Sequence, residues 1–84
     1  MVTVKIFGVF RLETGIKEMT AQAARVSELF PQIIGEAKRR NPQSAMTEKD
    51  LRGCIIAVNG RQATPKTELH PGDEVVLVPA AAGG

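Results

Sequence analysis

Val2, Val4 and Ile6 alternate with Thr3, Lys5 and Phe7. This period of two opens the stretch Val2 to Phe10 and predicts a β-strand with one apolar face. Gly15 marks a turn, and a weaker strand over Ile16 to Met19 completes a predicted hairpin. The period then changes. Leu29, Ile33, Ile34 and Ala37 recur at helical spacing, with Ser27 as the expected N-cap and Glu28 in the first turn. Pro31 lies in the opening turn, where proline is tolerated. Gly35 weakens the helix by up to about 1 kcal/mol relative to alanine. The helix is expected to end near Arg40, because Asn41 precedes Pro42 and is pushed out of the helical region.

Asn41 to Gly53 is polar and reads as loop. Thr47 to Asp50 has the spacing of a capping box, which allows a single helical turn. Cys54 to Val58 reads as a third strand. Asn59-Gly60 is a hairpin signal leading into a short strand over Arg61 to Ala63. Pro71-Gly72 turns the chain into a last strand, Glu74 to Val78. The order is β-β-α-β-β-β with one substantial helix. One helix covers only one face of a small sheet, so the expected fold is a two-layer α+β domain.

Eighty-four residues make one domain with one modest core. With three phenylalanines and no tryptophan or tyrosine, that core must be mainly aliphatic. A net charge of +2 is mild. Arg39 and Arg40 complement a helix C-terminus, and no long basic run or set of stacking aromatics points to nucleic acid. The single cysteine, Cys54, excludes an internal disulfide and fits a reducing compartment. No signal peptide and no membrane-length apolar stretch is visible. The expectation is a soluble cytoplasmic protein.

Candidates for internal chemistry are few. Cys54 has no histidine near it in sequence and reads as a small, buried hydrophobe. His70 lacks partners at ligand spacing, so no metal site is expected. Gly60 and Gly72 belong to no phosphate-cradling loop. Asp73-Glu74 reads as solvated. No constellation supports an enzyme acting alone.

Two features remain. If Val2, Val4 and Ile6 face the helix, Phe7 points from the uncovered face. The last strand is apolar on both faces, with Val75 and Leu77 on one and Val76 and Val78 on the other. The functional reading is a partner-docking patch rimmed by Lys5, Arg11 and Arg61. The second feature is the ending, Pro79-Ala80-Ala81-Ala82-Gly83-Gly84. Residues 80–84 form an expected flexible arm beyond a domain of residues 1–79. Six extended residues reach about 20 Å. Glycines lack a Cβ, so such an arm can enter a narrow channel. Ordering the arm costs roughly 1–2 kcal/mol per residue, which a globular face docking first would offset.

These features resemble the ubiquitin-like β-grasp sulfur carriers, most closely the small subunit of molybdopterin synthase (MoaD-type). The opening VTVKIFGVFRLETG is similar to that subunit's first strand and turn, including Phe7 and Arg11. AVNGRQA followed by LHPGDEVVLVPAAAGG is the stronger match. The resemblance implies a mixed sheet packed on one main helix. It implies that an ATP-using, ubiquitin-activating-like adenylyltransferase adenylates the Gly84 carboxylate. A sulfur donor enzyme then replaces AMP, leaving a thiocarboxylate. The large subunit of molybdopterin synthase would receive the arm, Ala80, Ala81, Ala82 and Gly83, and pass the sulfur to a pterin precursor. Phe7, Arg11, Val76 and Val78 map onto the partner interface. Gln62 stands where the family often has an apolar interface residue. No cofactor is expected on this chain itself.

The thiamine-pathway carrier (ThiS-type) shares the fold, tail and thiocarboxylate but serves thiazole formation. Those carriers usually lack much of the Asn41 to Gly53 segment. A third reading is a non-reactive interaction domain whose Gly-Gly is incidental.

Overall fold

A computed structural model describes residues 1–80. β1, Val2–Ile6, buries Val2, Val4 and Ile6 and leaves Thr3 and Lys5 half-buried on its other side. The predicted alternation therefore holds to Phe7, but the strand ends at Ile6. Gly8, at φ 67° and ψ −150°, turns the chain into a short helix, α1, Val9–Thr14. This corrects the expected strand up to Phe10. A positive φ breaks the extended run, and Phe10 then packs against the core from the helix. Thr14 secures the end of α1: its hydroxyl donates to the Phe10 carbonyl at 2.7 Å and accepts from the Ile16 amide at 3.1 Å.

β2 spans Glu18–Ala21, two residues later than expected. Ile16 is fully buried but in the loop before the strand, so its apolarity serves packing rather than pairing. A 3₁₀ turn, Val26–Glu28, leads into α2, Leu29–Arg40. Ser27 sits inside that turn and caps nothing; the helix has no side-chain N-cap. Glu28 instead accepts the Ala24 amide at 2.9 Å. α2 buries Leu29, Phe30, Ile33 and Ala37 along one stripe. It ends where expected, with Asn41 extended at φ −140° before Pro42.

α3, Glu48–Arg52, is the predicted capping-box helix. The Thr47 hydroxyl accepts the Asp50 amide, and the Asp50 carboxylate accepts the Thr47 amide at 2.9 Å. Its Leu51 is fully buried, so this segment is part of the core. β3, Ile55–Val58, begins one residue after Cys54. Asn59 and Gly60, with φ of 52° and 82°, make the tight turn into β4, Arg61–Ala63. β5, Glu74–Val78, closes the sheet.

The strand order is β2-β1-β5-β3-β4. β5 runs parallel to β1 and antiparallel to β3, so the sheet is mixed. α2 covers one face, and the core lies between them, from Val2 through Phe30 and Ile33 to Val75 and Leu77. The α+β class and two-layer plan are those expected from sequence.

Candidate functional site

The topology brings three strand ends together. β1 and β5 are parallel, so their C-terminal ends are adjacent. β3 is antiparallel to β5, so its start joins them. The register places Ile55 beside Val78, Ala57 beside Val76, and Lys5 beside Val76. Phe7 remains attached to this end, since its amide donates to the Leu77 carbonyl at 3.0 Å. Strand alternation then decides the faces. Val75 and Leu77 are fully buried against the helix layer. Val76, Val78, Ala57, Ile55 and Phe7 fall on the uncovered face.

Phe7 is 38% exposed and Ile55 50% exposed. Together with half-buried Val76 and Val78 they form an apolar stripe at the end where the chain leaves the sheet. Arg11 reaches it from α1. Its guanidinium lies 4.9 Å from the Phe7 ring centre, while its Nε donates to the Ile6 carbonyl at 3.0 Å. The cation over the ring holds Phe7 in place and adds about 0.5–1 kcal/mol at a partly exposed site. Lys5 is paired with Glu74 at 3.1 Å. Lys5, Phe7, Arg11, Lys17 and Glu18 line a shallow recess of about 390 Å³ beside the stripe.

Phe7, Arg11, Val76 and Val78 are thus brought together. Arg61 is not part of the rim: it pairs with Val58, whose register puts it on the helix side of the sheet. Gln62, opposite Ala57, does lie on the open face and makes that end of the stripe polar. Ala80 is exposed beyond β5, and Ala81, Ala82, Gly83 and Gly84 lie outside the described residues. Ile55 escaped the sequence reading, although Ile56 being buried forces its neighbour outward. Val9 and Leu12, 53% and 80% exposed on α1, were also missed, because α1 itself was.

Chemistry at this end is limited. Cys54 is half-buried at the foot of β3, and burial pushes its thiol up to about 11. It is therefore protonated near neutrality and a poor nucleophile. Among the described residues, no three histidine, cysteine or carboxylate side chains group closely enough to hold a metal ion, and no helix is long and apolar enough to cross a membrane. The site presents an apolar stripe with a basic flank where the C-terminal segment departs.

The model of the ThiS family matches residues 4–84. No curated protein sequence matches. Several solved structures do. CysO in the Amycolatopsis orientalis BexX/CysO complex is 28% identical with a TM-score of 0.64, covering 100% of both chains. The Pyrococcus furiosus protein assigned as molybdopterin converting factor subunit 1 is 29% identical at a TM-score of 0.64, over 95% of this chain and 97% of that one. SAMP1 from Haloferax volcanii is 19% identical at a TM-score of 0.71, over 99% and 98%, and supports the fold alone. A mixed sheet on one main helix, matched end to end by these small proteins, is a ubiquitin-like β-grasp, and the chain belongs to the ThiS family of sulfur carriers.

Proposed function

We propose that this chain is the sulfur-carrying small subunit of a molybdopterin synthase, loaded on Gly84. The observation that carries the reading is the apolar stripe of Phe7, Ile55, Val76 and Val78, placed at the end of the sheet from which a Gly-Gly terminus departs. Docking of this stripe on a partner would place the C-terminal arm at that partner's active site. The carboxylate of Gly84 attacks ATP on an activating enzyme, giving the acyl-adenylate and pyrophosphate. Hydrosulfide released by a donor enzyme then attacks the acyl carbon, AMP leaves with the bonding pair, the sulfur gives up its proton to solvent, and a thiocarboxylate remains. Acid–base groups and the precursor pocket belong to the partners, and the cycle belongs in the cytoplasm.

The likeness to the Pyrococcus furiosus subunit supports the molybdopterin assignment. So does α3, which makes the Asn41 to Gly53 segment a packed element through Leu51. One observation favours a thiazole-forming carrier instead: the matching family model is that of ThiS.

The test is intact-mass measurement of the full chain after incubation with ATP, an activating enzyme and a sulfur donor. One oxygen should be exchanged for one sulfur, on the C-terminal peptide. The loaded protein should then yield the dithiolene product with a molybdopterin synthase large subunit and its pterin precursor. Thiazole formation with a thiazole synthase, and none with the large subunit, would transfer the chain to the second reading. No loading at all would leave an interaction domain.

A further inference from the structure

Gly8 combines two unusual properties. Its φ of 67° with ψ of −150° lies where only glycine is comfortable. In addition, a Cβ at this position would lie 3.0 Å from Cδ and 3.1 Å from Cγ of Pro79. The Pro79 ring therefore rests against the bare Cα of Gly8. The glycine side of this contact is fixed. Before it, the Phe7 amide is bonded to the Leu77 carbonyl at 3.0 Å; after it, the Gly8 carbonyl accepts the Arg11 amide at 3.0 Å. Arg11 Nε further ties the same turn to Ile6. The proline side is tethered to β5 from behind: Pro79 is half-buried as the first residue past that strand, and Ala80 after it is exposed. Proline adds its own stiffness. Its φ is locked, and it confines Val78 to the extended region.

We propose that Gly8 is a positioning residue. Its missing Cβ seats the Pro79 ring, and this seat sets the direction in which the chain leaves β5. The inference rests on the sulfur-carrier reading for its consequence. A carboxylate carried on a short arm must arrive at an adenylation site with its angle already defined, and a displacement of about 1 Å at the reacting atoms can cost as much as 100-fold in rate. Displacing the ring, with Gly8 pinned on both sides, turns the arm and leaves the docking stripe in place.

The experiment compares wild type, Gly8→Ala, Pro79→Ala and the double variant in two measurements. The first is the residual dipolar coupling of the Ala80 amide in the free, ¹⁵N-labelled chain. In wild type it should fit the alignment of β5, and in Gly8→Ala it should depart from it while the β1 and β5 amides keep theirs. The second is ATP–pyrophosphate exchange with an activating enzyme. Gly8→Ala should lower kcat about tenfold, with KM within about twofold of wild type, because every side chain of the docking stripe is retained. Pro79→Ala, which removes the ring without straining residue 8, should lower kcat less. The double variant should recover part of what Gly8→Ala loses, since the added methyl then meets no ring while the positive φ still strains residue 8. An unchanged Ala80 coupling, a raised KM with kcat unchanged, or a double variant as impaired as Gly8→Ala would each overturn the proposal. If Gly8→Ala does not fold, Pro79→Ala decides: an unaltered coupling and kcat would overturn it. If wild type shows no exchange with activating enzymes, the sulfur-carrier reading fails, and the Ala80 coupling alone decides whether the seat aims the chain.

Discussion

Phe7 was legible because a strand's side chains alternate. With Val2, Val4 and Ile6 inward, Phe7 had to face outward, and it does. Ile55 obeys the same rule beside buried Ile56. The limit of the rule is one residue further along, at Gly8, where a backbone angle that no periodicity encodes ends the strand. These placements make a prediction. Phe7→Ala should lower folding stability by less than about 1.5 kcal/mol, against about 3–5 kcal/mol for truncating a buried phenylalanine. It should weaken binding to the activating enzyme or synthase partner at least tenfold, a change of about 1.4 kcal/mol. Val78→Asp, placing a charge in the stripe, should do the same. Urea titration and calorimetric binding of the same samples check both; a large stability loss with unchanged affinity would mean the stripe is structural.

Elements are legible in the sequence where a local signal marks them and hidden where tertiary packing decides. The Thr47–Asp50 spacing was enough to foresee α3. Ser27 shows the reverse: a favourable cap residue was absorbed into a 3₁₀ turn because burial of Val26 fixes the entry to α2. The Asn59-Gly60 turn was legible as a hairpin, but its second role was not. Asn59 Nδ2 donates to Asp73 at 2.8 Å, and its Oδ1 accepts the Glu74 amide at 2.9 Å, which latches the β3–β4 hairpin to the start of β5. The partner lies fourteen residues away, beyond any local motif. The His70 amide and then Asn59 hold the Asp73 carboxyl below the usual carboxylate range. A depressed folded-state pKa contributes stability above the unfolded value, and that stability is lost as pH falls through the folded value. Asn59→Gly keeps the positive φ but removes the side chain. It should lower the urea midpoint at neutral pH, and the gap to wild type should shrink as pH falls below the ordinary carboxylate value of about 4 and on through the depressed folded-state value of Asp73. Glu36, held at about 2 by Arg39 and Arg40, titrates in both proteins and cancels from the comparison. A gap independent of pH would detach the latch from Asp73.

At the scale of the whole molecule, the α+β class followed from counting one helix against five strands. The strand order did not, since nothing local says that the last strand enters the middle of the sheet, parallel to the first. That insertion sets where the chain leaves the sheet. It places β5 at the centre, buries Val75 and Leu77, and brings its end out between Phe7 and Ile55. The core runs from Val2 to Leu77, and glycine has no side chain to add to it. On the proposed reading, folding and sulfur carriage are separable along the chain. Deleting Gly84 should leave the stability of the domain unchanged, within roughly 0.5 kcal/mol, and on the proposed reading should abolish sulfur loading, because the new terminal carboxylate, on Gly83, stops about 3.5 Å short of the adenylation site. Appending one alanine after Gly84 should have the same pair of effects from the opposite displacement, because the terminal carboxylate is then carried about 3.5 Å past the adenylation site. The two variants together bracket the reach of the arm, one residue short and one residue long. Intact-mass loading and thermal unfolding on the same preparations read both quantities. If the extended chain loads as well as wild type, activation does not measure the arm from β5, and the geometry of the sheet's exit has no part in the reaction.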